Sequence, residues 1–77
     1  MRNILEIIDK IITQIPQDFD DKTYLIEELY AIRESSIYSS PEGVNYCWLQ
    51  ISCALNIFLK QPDTDWKINI FNLFSGN

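Results

Sequence analysis

No histidine occurs among the 77 residues. That removes Ser–His and Cys–His nucleophilic catalysis, mixed Cys/His zinc sites and the Glu-x-x-His ligand pattern of di-iron bundles. The two cysteines, Cys47 and Cys53, fall in a segment that reads as one helix, which separates them by about 9 Å along its axis. They cannot bridge. They are expected to be small buried or half-buried packing residues in a reducing, cytoplasmic compartment. Long apolar runs are also missing. The longest, "ISCALNIFL", contains Ser52 and Asn56 and falls far short of the roughly 20 residues that cross a bilayer. "MRNILEIIDK" is interrupted by Glu6 and Asp9 before a signal-peptide core forms, so neither an export signal nor a membrane partner is expected. Lysine and arginine total only six, scattered along the chain, which excludes the basic footprint that phosphate contact requires. Nucleic acid is therefore not an expected partner.

What is present is apolar side chain and negative charge. Thirteen isoleucines and ten aromatics in a chain that is 47% hydrophobic are enough to offset ordering entropy, so residues 1–77 are expected to form a single folded domain. At this length folding buries only about 60% of the exposable surface, room for one core. The net charge is −5, and its distribution says more than its sum. Residues 18–42 carry Asp18, Asp20, Asp21, Glu27, Glu28, Glu34 and Glu42 against Lys22 and Arg33, so this third of the chain holds the whole excess. Such a field repels nucleic acid and anionic lipid and attracts a basic surface.

The apolar residues repeat with the period of a helix. Ile4, Leu5, Ile8, Ile11, Ile12 and Ile15 form one face of a helix predicted from about Asn3 to Gln14, closed by Pro16. A second helix is expected to begin between Asp18 and Asp21, with aspartates suited to capping and to the positive end of the helix dipole. Its buried side is read as Leu25, Ile26, Leu29, Ile32 and Ile37. "SSPEG" then punctuates the chain: Ser39 or Ser40 caps, Pro41 suits the first turn and Glu42 meets the dipole. The third helix is predicted to run to about Lys60. Val44, Cys47, Trp48, Ile51, Ala54, Leu55 and Phe58 form its apolar face, which Tyr46, Cys53 and Ile57 widen. So narrow a polar strip (Asn45, Ser52, Asn56 and Lys60) predicts a central helix covered by the others. A fourth helix, capped by Asp63 or Thr64, carries Trp66, Ile70, Phe71, Leu73 and Phe74 and ends at Ser75 and Gly76. Four helices joined by short turns define an all-α domain, a bundle or a compact orthogonal array.

At about 100° per residue, Asp20, Glu27, Glu28 and Glu34 share one arc of the second helix, with Tyr24 and Ala31 inside it. Arg33 points towards Leu29 and Ile26, from where it can reach solvent or a carboxylate. The carboxylates carry no pairing that would separate an acid from a base, so no catalytic residue, metal or cofactor is expected and the chain is not read as an enzyme. The acidic arc has two readings. One is a solvated face that keeps a hydrophobic little domain in solution. The other is a docking surface on which charge steers encounter and tyrosines anchor. Tyr24, Tyr30 and Tyr38 favour docking. The candidate partner-binding residues are Asp20, Asp21, Tyr24, Glu27, Glu28, Glu34, Tyr38 and Glu42.

Two segments, "IYSSPEG" from Ile37 to Gly43 and "DWKINIFNLF" from Asp65 to Phe74, bear a likeness to a known group. With their Y-x-x-P-E turn and W-x-x-x-I-F helix, they resemble immunity proteins of bacterial polymorphic toxin and contact-dependent growth inhibition systems. The first segment is also similar to the helix-and-tyrosine segment of the helical immunity proteins that neutralise nuclease colicins. In that group an acidic helix and adjacent tyrosines form the toxin-binding surface. The resemblance implies an inhibitor of a cognate toxin, a basic nuclease, with Tyr38 and the acidic stripe as contacts. Two alternatives stand beside it. One is a helical adaptor or homodimer using apolar surface left on helix three or four, and the other is an acidic nucleic-acid mimic.

Overall fold

Asn3 begins the first helix by accepting the orphan amides of Leu5 and Glu6 on its side-chain oxygen, at 3.0 and 3.4 Å. From there the chain, a computed structural model describing residues 2–76, forms four helices and, among the described residues, no strand. They are α1 (Ile4–Gln14), α2 (Lys22–Ile37), α3 (Pro41–Phe58) and α4 (Asp65–Ser75). The all-α expectation holds. α2 packs against α1 and α3, and α1 packs against α4, while the Trp48 ring of α3 lies 5.9 Å from the Phe74 ring of α4, so the four helices close around one core. The molecule measures 35 × 25 × 18 Å.

One core serves all four helices. Ile4, Ile8 and Ile11 of α1 and Ile15 at its C-cap meet Leu25, Leu29 and Ile32 of α2, Ile51, Ala54 and Leu55 of α3, and Ile70 of α4. The half-buried aromatics Phe19, Trp48, Phe58, Trp66, Phe71 and Phe74 wall this core. They are not surplus surface.

Three local devices set the connections. Phe19, in the turn before α2, packs edge-on against Trp66 of α4 with ring centroids 5.2 Å apart, so the first loop docks on the last helix. At the α2–α3 elbow, Ser40 caps α3 through a bond from the Gly43 amide, and Ser39 donates to the carbonyl of Ser35 at 2.6 Å. A Cβ on Gly43 would meet the Ser39 Cβ at 2.8 Å, so this crossing requires glycine. Finally, the Arg2 guanidinium lies 4.5 Å from the Trp48 ring centre and donates to the terminal α4 carbonyls of Leu73 and Phe74. It offsets the negative end of α4 and ties that end to α3.

Several expectations are corrected. α2 runs from Lys22 with Asp21 at its N-cap, the late end of the expected start, and the Asp21 side chain makes no capping bond. Asp20 therefore belongs to the preceding turn and not to the helical arc. Ile37 is exposed. The regular period carries Ser36 to the core instead, where its hydroxyl donates to the Arg33 carbonyl at 2.7 Å and needs no other partner. Cys53 is exposed while Cys47 is buried. α3 is not a covered central helix: Tyr46, Leu49 and Ile57 are 63%, 63% and 67% exposed, whereas Ile51 and Leu55 on its opposite side are fully buried. A chain of this size has too few helices to sheath a fourth on every side.

The two sides of α3 are expected to separate cleanly in chemical denaturation. Leu55→Ala should cost about 2–5 kcal/mol, and Leu49→Ala should stay within about 0.5 kcal/mol of the parent.

Candidate functional site: the acidic face of α2

The buried strip of α2 is narrow, formed by Leu25, Leu29, Ile32 and Ser36. The outer side is therefore wide. Tyr24, Glu27, Ala31 and Glu34 fall within an arc of roughly 80° pointing to solvent, and Tyr30 borders it. All five are exposed. Tyr38 follows at the C-cap of α2 and is 84% exposed. Glu42 lies in the first turn of α3. Asp20 and Asp21 sit in the turn before α2, both exposed.

The eight candidate residues do not form one patch. On one flank of α2 an open cleft of about 780 Å³ is lined by Asp18, Phe19, Asp20, Ile26, Glu27 and Tyr30. Glu28 stands on the other flank, lining a second cleft, of about 440 Å³, with Tyr46, Leu49 and Ile57 of α3. Neither cleft is lined by Glu34, Tyr38 or Glu42. Tyr24, Glu27, Ala31 and Glu34 thus share the expected arc, while Glu28, one turn from Tyr24 at its other border, also faces side chains of α3.

The distribution of cations decides the electrostatics. Among the described residues the ion pairs are Lys10–Glu6 at 3.0 Å, Arg33–Asp9 at 3.0 Å and Lys67–Asp63 at 3.1 Å. None of them uses a carboxylate from residues 18–42. Arg33 turns off α2 to reach Asp9 of α1 with two nitrogens, at 3.0 and 3.4 Å, the carboxylate its position on the helix made possible. Lys22 lines the first cleft, but its ammonium donates to the Ile15 carbonyl at 2.9 Å, at the end of α1. Both cations of the acidic third are thus drawn towards α1. Asp18, Asp20, Asp21, Glu27, Glu28, Glu34 and Glu42 make no ion pair within the described chain.

Chemically, this surface can attract and hold cations and can offer phenol rings. Among the described residues no group of three or more His, Cys, Asp or Glu side chains is placed to bind a metal ion. None of the described helices is long and apolar enough to cross a membrane.

Tyr46, Leu49 and Ile57 were not foreseen as surface. The signal was present in the width of the apolar arc of α3, which exceeds what one neighbouring helix covers. Comparison with protein-family models, curated proteins and solved structures finds no match to this chain.

Glu34 lies in the last turn of α2, which contains no basic residue, so it opposes the helix dipole. Glu34→Lys is expected to stabilise the fold by about 0.3–1 kcal/mol. Thermal melting at low ionic strength should read the gain, and the gain should shrink in high salt.

Proposed function

We propose that this chain is an immunity-type inhibitor: a non-enzymatic binding protein that neutralises a cognate toxin, a basic nuclease, by occupying its cationic surface with the acidic face of α2. The observation that carries the reading is that the seven carboxylates of residues 18–42, three on α2, three in the turn before it and one in the first turn of α3, make no ion pair among the described residues, beside two cations that bond towards α1. A face that serves solubility does not need its neighbouring cations turned away, as Arg33 and Lys22 are here. Mixed signs serve that purpose as well and repel less. Unpaired carboxylates interleaved with exposed Tyr24, Tyr30 and Tyr38 supply both steering charge and amphipathic rings that anchor an interface. The likeness of "IYSSPEG" to the tyrosine-bearing segment of colicin immunity proteins supports the same reading.

Rim carboxylates chiefly set association rate and salt dependence, while a central aromatic anchor carries at least about 2 kcal/mol. The immobilised chain is expected to retain a basic protein from its native cells at low salt and release it at high salt. Co-expression should relieve that protein's toxicity. Glu27→Lys, Glu28→Lys and Glu34→Lys combined should abolish retention. Undiminished retention by this triple variant would show that the acidic face serves solubility alone.

A further inference from the structure

Within its 18 residues α3 carries a single charged side chain, Glu42, although it is exposed along one whole side. A helix with one face in water ordinarily carries charges there. Here the outward positions hold Tyr46, Leu49, Cys53 and Ile57, spaced by three, four and four residues. That spacing keeps them on one line, a stripe about 16 Å long. Burial elsewhere does not explain them, because the core uses the opposite side of the same helix, from Cys47 to Leu55.

The stripe forms the floor of the second cleft, and its α2 edge is Glu28, which has no ion-pair partner among the described residues. The border away from α2 carries Asn45 and Asn56, both exposed and uncharged. The groove is thus apolar along its centre and acidic along one edge.

We infer that this α2–α3 groove is the seat of one amphipathic helix of a partner protein, about three turns long, with apolar side chains facing the α3 stripe and lysine or arginine facing Glu28. The inference rests on the reading above that the partner is basic, and it places the desolvated centre of the interface on α3, with the acidic α2 face as its rim. A second copy of this chain fits the groove poorly. It brings a net charge of −5 to another −5, and antiparallel pairing of two α3 stripes sets both Glu28 side chains on the same side.

Synthetic peptides test this with the full-length chain. One probe is an 18-residue peptide with leucines at i, i+3, i+4 and i+7 and lysines elsewhere. The other is a scrambled peptide of identical composition. In fluorescence anisotropy at physiological salt, the amphipathic peptide is expected to bind at least tenfold more tightly than the scrambled one. The double substitution Leu49→Asn with Ile57→Asn should erase that difference while leaving the far-ultraviolet circular dichroism unchanged, since both side chains are exposed. Glu28→Lys should weaken binding several-fold, and Glu6→Lys, the same charge reversal at an exposed position on α1 that lines neither cleft, should change it little. Equal binding of the two peptides overturns the groove and leaves the basic-partner reading standing, because charge alone then suffices. No binding of either peptide overturns the groove as well. Self-association of the free chain that Leu49→Asn abolishes would assign the groove to a second copy and refute the inference.

Discussion

The isoleucine face of α1 is the constraint from which the rest follows. Ile4, Ile8 and Ile11, with Ile15 at the helix end, are buried together, and this is possible only if α1 is covered from two sides. α2 and α4 provide that cover. α3 packs on α2 and meets α4 at Trp48 and Phe74, so that it buries one side only. In a chain this short a single core cannot serve all sides of all helices, and the shortfall falls on α3.

The same placement of α1 sorts the charges. Asp9 lies on its exposed side and draws Arg33 off α2, and the carbonyl of Ile15 at its end holds Lys22. Two interactions that fasten α2 to α1 thereby remove the local cations from the outer face of α2. The excess negative charge of residues 18–42 is set by composition, and the folded arrangement leaves it without its local cations. Mutual repulsion among such groups costs little at an exposed surface in physiological salt, so the fold tolerates it.

Much of the architecture was legible in the sequence because its signals are local. Pro16, "SSPEG" and "KQPDT" mark the breaks, and the period of the isoleucines in α1 identifies its buried face without ambiguity. The acidic arc was legible for the same reason, since Tyr24, Glu27 and Glu34 lie on one regular helix. What escaped was relational. The start of α2 depends on a turn folded between Pro16 and Lys22, in which Phe19 packs against Trp66 and Asp20 lies outside the helix. Ile37 and Ser36 exchanged roles because a serine can satisfy its hydroxyl on its own helix, an option that a scale of hydrophobicity does not register. The exposure of Tyr46, Leu49 and Ile57 depends on which neighbours α3 lacks. A wheel projection reports how wide an apolar arc is and cannot report how much of it is covered.

The packing of α1 against α4 has a consequence during synthesis. α1 is made well before α4, yet one side of its isoleucine face waits for α4. At about 5–20 residues per second, the span between them takes several seconds to emerge from a ribosome. Until Ile70 is made and Arg2 can close over the last turn, the side of the α1 face that α4 covers in the folded chain has no cover.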